Sequence, residues 1–433
     1  MQLSVIGCGY LGAVHAASMA SLGHTVVGID VDQAKIAKLS AGETPFYEPG
    51  LDEILRTGLA SGRLTFSTDY ADLADAEVHF IGVGTPQRRD GQGADMTYVD
   101  AATAGILEHA KPGSLIAGKS TVPVGTAARL TQLAAREGVR LAWNPEFLRE
   151  GFAVKDTVDP DRLVYGVTDA THDEDVATLD QVYASILERG TPRLVTNQPT
   201  AELVKVAANS FLATKISFIN AMAEISEVTG ADVTQLADAI GHDERIGRKF
   251  LNAGIGFGGG CLPKDIRAFA ARAEELGKGE SVAFLKQVDE INLRRRQHVV
   301  DRVVDSFDGP VYGHRVTVLG LAFKPDSDDI RDSPALDVAV QLKGLGAEVV
   351  SYDPEAMDTA RNAHPQLNYA ASLDEALEGS EAVVIATEWK QFKRLDPADT
   401  ATKVARPVVF DARNILDPTA WRNAGWTYTG MGR

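Results

Sequence analysis

The densest chemistry in the chain stands in one segment, Gly254-Ile255-Gly256-Phe257-Gly258-Gly259-Gly260-Cys261-Leu262-Pro263-Lys264-Asp265. Five of its first seven residues are glycine. Such a run is costly in backbone entropy and lets a backbone approach a ligand closely. Cys261 follows, with Lys264 nearby, and a cation favours the nucleophilic thiolate. From the residues alone, Cys261 reads as a nucleophile or as a structural cysteine. The chain holds 2 cysteines, Cys8 and Cys261. That is no disulfide framework and fits a reducing compartment. No Cys or His stands near Cys261 at ligand spacing, so no metal is expected.

A second segment, Gly7-Cys8-Gly9-Tyr10-Leu11-Gly12, is a G-x-G-x-x-G. It follows an apolar strand-like run, Leu3 to Ile6, and opens a helix-like stretch, Leu11 to Leu22. The next strand, Thr25 to Ile29, ends in Asp30. That is the full context of a dinucleotide fingerprint. Gly7 permits the turn, Gly9 admits a pyrophosphate and Gly12 allows close helix–strand packing. Asp30 suits a ribose diol and opposes a 2′-phosphate, favouring NAD. Cys8 reads as a small buried filler.

Three further groupings carry polar chemistry. Glu202, Lys205 and Asn209 fall on a predicted helix, the last two one turn apart. Lys205 and Asn209 can hold an oxyanion together or form a solvated face. Lys119-Ser120-Thr121-Val122-Pro123 follows a predicted strand, where α/β sheets place ligands. Asn144-Pro145-Glu146-Phe147-Leu148-Arg149-Glu150-Gly151 follows another. Its acids read as a base and a water-positioning group, or as solvated charges.

The elements that must position these residues alternate. Val78 to Val83, Leu115 to Ala117 and Val139 to Trp143 read as buried strands, implying a parallel sheet between helices. From Thr200 to about Asp305 helical periodicity dominates. After Gly313 strands resume at Val316–Leu319, Glu348–Tyr352, Ala382–Ala386 and Val408–Phe410. The fold class expected is α/β, two Rossmann-like doubly wound parallel-sheet domains joined by a central helical domain. The boundaries expected are 1–199, 200–305 and 306–433. A length of 433 residues fits about three domains.

Composition excludes some functions. With 43 basic and 60 acidic residues the net charge is −17, which argues against nucleic acid or anionic membrane as partners. No basic n-region or long apolar stretch precedes Gly7, and Val206 to Ile225 is too polar to span a bilayer. A cytoplasmic location is expected.

Together these motifs, with Val83-Gly84-Thr85-Pro86 and Phe323-Lys324, resemble the UDP-glucose/GDP-mannose dehydrogenase family along essentially the whole chain, and its UDP-glucose branch most. The resemblance implies a four-electron oxidation of UDP-glucose at C6 to UDP-glucuronate, with two NAD. The chemistry explains the cysteine. An aldehyde loses hydride readily only after a nucleophile adds, and a thiolate gives a thiohemiacetal, then a hydrolysable thioester.

Matching positions imply Cys261 as nucleophile and Lys205 and Asn209 as oxyanion stabilisers. Asp265 and Thr121 hold water or the base network, and Glu146 or Asp265 is the base. Cofactor residues implied are Gly7, Gly9, Tyr10, Leu11, Gly12, Asp30, Lys35, Val83, Thr85, Ser120, Thr121, Glu150, Lys264 and Arg331. Substrate residues implied are Glu146, Phe147, Leu148, Lys205, Asn209, Arg245, Phe250, Leu251, Asn252, Phe257, Gly258, Cys261, Phe323, Lys324 and Arg413. Lys205, Arg245, Lys249, Lys324 and Arg413 are expected to converge on one cleft of an otherwise acidic protein. Arg245 would reach a neighbouring subunit's site in a homodimer or higher homo-oligomer built on the central helices. The C-terminal domain, with Gly320-Leu321-Ala322-Phe323-Lys324 in place of a glycine fingerprint, is assigned to the nucleotide sugar. GDP-mannose or a UDP-N-acetylhexosamine is the rival substrate, and a non-catalytic nucleotide-binding protein the rival of another class.

Overall fold

Short runs of Val, Ile and Leu bounded by turn residues form strands buried on both faces, the pattern of a helix-covered parallel sheet. In the computed structural model, which describes residues 1–433, eight of them make the first sheet. They are β1 (Gln2–Ile6), β2 (Thr25–Ile29), β3 (Leu64–Ser67), β4 (Val78–Ile81), β5 (Leu115–Gly118), β6 (Arg140–Trp143), β7 (Leu163–Val167) and β8 (Arg193–Asn197). Their order is β3-β2-β1-β4-β5-β6-β7-β8. The strands β1 to β6 run parallel, in register Leu3 with Val26 and with Val78. To these, β7 and β8 add a pair parallel to each other and antiparallel to β6. Alternation splits the apolar residues between two cores. Leu3, Val5, Phe80 and Ala117 pack on one face, and Ile6, Ile81, Ile116 and Trp143 on the other.

A second sheet is wholly parallel. It contains β9 (Arg315–Leu319), β10 (Glu348–Tyr352), β11 (Asn368–Tyr369), β12 (Ala382–Ile385), β13 (Val408–Asp411) and β14 (Thr427–Gly430), in the order β11-β10-β9-β12-β13-β14. The middle of the chain is helical. A long helix spans Gln198–Thr229, the cysteine helix Leu262–Glu275, and a further helix Phe284–Asp305. No helix is long and apolar enough to cross a membrane.

The chain divides into two compact units. One comprises Met1–Ala208 with Ala271–Gly277, the other Asn209–Ala270 with Lys278–Arg433. Both sheets put their loops where a doubly wound sheet binds ligands, at the carboxyl ends of strands beside the point where strand order reverses. In the first unit that point lies between β1 and β4, in the second between β9 and β12.

Candidate active site

In the first unit Gly7-Cys8-Gly9 closes β1 and passes directly into α1 (Tyr10–Ser21), with Leu11 in its first turn. Two of its glycines are demanded by the protein. A β-carbon on Gly7 would stand 2.7 Å from Val83 Cγ1, and one on Gly12 would collide with the Gly7 carbonyl. A β-carbon on Gly9 would meet nothing within 4 Å. No internal packing requires that third glycine, so a ligand approaching the backbone there explains it. Gly9 is also the N-cap of α1 and offers no side-chain cap, leaving N–H groups for an anion. Asp30 Oδ2 accepts from the Cys8 N–H at 2.8 Å and pairs with Lys35 Nζ at 2.8 Å, while Oδ1 accepts from the Asp32 N–H. A carboxylate has about four lone-pair sites, so capacity remains for a ribose hydroxyl. These residues fit a dinucleotide.

The neighbouring loops are stitched together. Ser120 Oγ donates to the Val83 carbonyl at 2.7 Å, and Thr85 Oγ1 to the Thr121 carbonyl at 2.8 Å. After β6, Glu146 Oε1 lies 3.0 Å from Lys205 Nζ and Oε2 accepts from the Leu148 N–H at 2.7 Å. Two cations lie over the Phe147 ring, Arg162 3.9 Å and Lys205 5.8 Å from its centre. Lys119 is buried, donates to Asn144 Oδ1 at 3.1 Å, and is pushed down to about 8 by burial.

The sequence reading missed Glu48. Its buried carboxylate accepts from the N–H groups of Gly151 and Ala153, 2.7 Å each, and from Tyr10 Oη, so it fixes the loop that carries buried Glu150. A lone acid 103 residues before Gly151 has no local signal that would find it. Glu202, grouped with Lys205 by spacing, instead accepts from the N–H groups of Gly125 and Ala127, capping the helix Thr126–Arg136.

In the second unit Cys261 is exposed and stands just before the cysteine helix, its carbonyl accepting the first helical bond from the Asp265 N–H at 3.0 Å. The guanidinium of Arg331, itself paired with Asp329 at 2.7 Å, packs against Gly260. The helix N-terminus and that guanidinium both favour negative charge here. Lys264 donates to Asp265, and buried Asp265 accepts from Asn209 Nδ2 at 2.7 Å. The glycine run has a cause other than the one read from sequence. β-Carbons on Gly256, Gly258, Gly259 and Gly260 would collide with Asn292, the Asp332 carbonyl, the Phe323 ring and Arg331. Packing demands these glycines, whether or not a ligand comes close.

Beside this run lies a cavity of about 640 Å³. Phe250, Leu251, Asn252, Phe257, Gly258, Phe323, Lys324 and Arg413, all anticipated, line it. So do Lys249 and, not anticipated, Thr234, Arg248, Lys393 and Asn414. Its cations outnumber its one acid, Glu388, which lies 3.2 Å from Arg413. Arg413 is also an internal clamp, donating to the carbonyls of Ala386, Gly256 and Phe323.

Residues 1–187 match the model described as the UDP-glucose/GDP-mannose dehydrogenase family, NAD binding domain, residues 199–294 its central domain and residues 317–418 its UDP binding domain. The UDP-glucose 6-dehydrogenase TuaD of Bacillus subtilis is 40% identical over 439 residues, spanning 100% of this chain and 93% of its own. The chain belongs to that family. The UDP-glucose 6-dehydrogenase of Rhizobium meliloti is 39% identical, with 100% of both chains covered. A UDP-glucose dehydrogenase structure from Pyrobaculum islandicum superposes with a TM-score of 0.90 at 40% identity, covering 100% of this chain and 97% of that one.

As a member of this dehydrogenase family the chain is an NAD-dependent oxidoreductase, and the loop at Gly7–Gly12 lies in the family's NAD-binding domain. Of the five cations expected to converge, Lys249, Lys324 and Arg413 share the cavity. Arg245 does not line it. Asp243, two residues earlier, holds its guanidinium at 2.6 Å, and its side chain is 89% exposed. Lys205 belongs to the first unit, where its partner is Glu146. No cluster of three or more His, Cys, Asp or Glu residues that could hold a metal ion is present.

Proposed function

We propose that the chain is a UDP-glucose 6-dehydrogenase that makes UDP-glucuronate. The observation that carries this reading is the basic cavity ending at Leu262, next to an exposed thiol at a helix N-terminus. Identity separates the substrates. Relatives named for UDP-glucose reach 39–41%, whereas a UDP-D-ManNAc dehydrogenase from Pyrococcus horikoshii and a GDP-mannose dehydrogenase stand at 26% and 29%.

NAD, held by Gly7–Gly12 and Asp30, supplies the hydride acceptor for each of two oxidations. The chain's residues do the rest. Lys205 and Asn209 stabilise oxygen charge on C6. The Cys261 thiolate adds to the C6 aldehyde carbon and forms a thiohemiacetal. Loss of hydride from that carbon leaves a thioester, and water, deprotonated by Glu146 or Asp265, releases the carboxylate and returns the thiolate. Lys249, Lys324 and Arg413 neutralise the diphosphate.

The protein works as a homodimer or higher homo-oligomer in the cytoplasm, divided into cofactor, helical and nucleotide-sugar domains at about residues 199 and 305. An apolar stripe on the long helix supports assembly. Phe211, Phe218 and Ile225 recur every seven residues and are 67%, 48% and 56% exposed. Arg245, projecting into solvent, suits a partner's site.

Stoichiometry tests the mechanism. Two NADH per UDP-glucose are expected, and Cys261→Ala should make no glucuronate yet still bind NAD. One NADH per sugar, or near-normal acid from the variant, would refute the thioester route. No turnover of UDP-glucose beside turnover of GDP-mannose would move the chain to another branch.

A further inference from the structure

The glycine run is held from behind by the helix Phe284–Asp305, which has no assigned role. Asn292 on this helix has no exposed surface. Its Nδ2 donates to the Phe257 carbonyl at 2.9 Å, and its Oδ1 accepts from the Phe257 N–H at 2.7 Å. One side chain thus pairs both backbone groups of one residue, as a neighbouring strand would. A β-carbon on Gly256 would collide with Asn292 Oδ1, so the amide in this place requires glycine there. One turn further on, Arg296 donates through Nη2 to the carbonyls of Phe257 and Asp332, 3.3 Å each, and Nη1 lies 2.8 Å from Asp332 Oδ1. From another side Arg413 Nη1 donates to the Gly256 carbonyl at 2.9 Å.

We propose that Asn292, backed by Arg296, is a positioning residue for the nucleotide-sugar cavity. It locks the Phe257 peptide, so that Phe257 and Gly258 line the cavity in one conformation and the chain enters Cys261 on a set course. A run this rich in glycine would otherwise sample many shapes, and each binding event would have to order it. The amide is needed because a carboxylate of equal shape accepts but cannot donate, and leucine does neither. Aspartate puts an acceptor against the Phe257 carbonyl, which keeps only the longer bond from Arg296, and leucine leaves the buried Phe257 N–H unpaired. The proposal rests on reading the cavity as the UDP-sugar site.

The test uses the full-length protein with Asn292→Asp and Asn292→Leu. Steady-state kinetics give KM for UDP-glucose and for NAD, and calorimetry gives the affinity for UDP alone. For Asn292→Asp, KM for UDP-glucose and Kd for UDP should rise about tenfold, the effect of one lost buried hydrogen bond, with Asn292→Leu worse. KM for NAD should stay within about twofold, since a positioning role spares the other site. Unchanged UDP affinity in folded Asn292→Asp would overturn the proposal. So would equal rises in both KM values, which mark general loosening. If neither variant folds, hydrogen exchange in the wild type decides. A Phe257 amide as slow as those of β9 supports the clamp, and one as fast as an exposed loop refutes it. A wild type that binds no UDP refutes the cavity reading instead.

Discussion

The two sheets share a central strand order, β2-β1-β4 in one and β10-β9-β12 in the other, and in each the second strand leads to a buried aspartate. Around those aspartates the likeness ends. Asp30 receives three hydrogen bonds. Asp353 receives five, from the N–H groups of Leu321, Ala322, Glu355 and Ala356 and from Trp389 Nε1. Five donors exhaust a carboxylate, and no ribose can be added. The helix after β1 starts at once, at Tyr10, with an uncapped N-terminus. After β9 the helix waits until Pro334, and Ser333 caps it by accepting from the Leu336 N–H. One architecture therefore serves a dinucleotide or spends the same positions on itself. The difference lies in which polar groups keep spare capacity, not in strand order.

The comparison can be broken at several points. Gly12→Ala should have the largest effect, a first unit that fails to fold by circular dichroism, because its β-carbon has nowhere to go. Gly9→Ala should melt like the wild type yet lose NAD affinity by about a hundredfold or more, since only the pyrophosphate is displaced. Equal damage from the two would erase the distinction between glycines kept for packing and for ligand.

Asp353→Ala should cost about 1–3 kcal/mol for each donor left unpaired, read as a large fall in the unfolding midpoint. Asp30→Ala should instead raise Kd for NAD by about tenfold and narrow the preference over NADP. If Asp353→Ala is as stable as the wild type, its hydrogen bonds do not hold the second sheet.

Acid should separate the units. Burial between Ser4 and Ser114 pushes His79 down to about 4. Between its ordinary value and that one, only the unfolded chain takes the proton. The first unit is therefore expected to lose about 3 kcal/mol as pH falls from about 6.5 to 4. In the second unit burial raises Glu227, but hydrogen bonding from His298 and the charge of Arg295 outweigh it and hold Glu227 at about 2. Its contribution is present above about 4.5 and is lost as pH falls toward 2. Hydrogen exchange resolved by strand should show β1–β6 weakening first, and His79→Gln should flatten that slope. The smallest effect expected is Trp389→Phe, which removes one of five donors from Asp353, costs about 1 kcal/mol and leaves NAD binding alone.

Much of this was legible locally. The strands β1, β2, β4, β5, β9, β10, β12 and β13 are apolar runs that announce burial. In β8, by contrast, every residue is at least partly exposed, and β3 interleaves Thr and Ser with Leu and Phe, so neither carries such a run. The dinucleotide loop is readable because its physics lies within six residues and one following strand. Glu48 and Asn292 bind partners far away in the chain, and Lys393 lines a cavity with residues distant in sequence, so none leaves a periodic trace. The glycine run was legible as a signal but not in its cause, since the atoms it avoids belong to Asn292, Phe323, Arg331 and Asp332.

The two thiols live in opposite surroundings. Cys8 is fully buried, and burial and the charge of Asp30 push its pKa up, whereas Cys261 faces outward. An electrophilic reagent should therefore modify each chain once, at Cys261, without mutagenesis. A fluorophore attached there would sit beside the basic cavity and report whether a nucleotide sugar fills it. If Cys261 is the nucleophile proposed above, the same asymmetry makes peroxide a selective poison, since oxidation of one exposed sulfur would stop the second oxidation while the fold stayed intact.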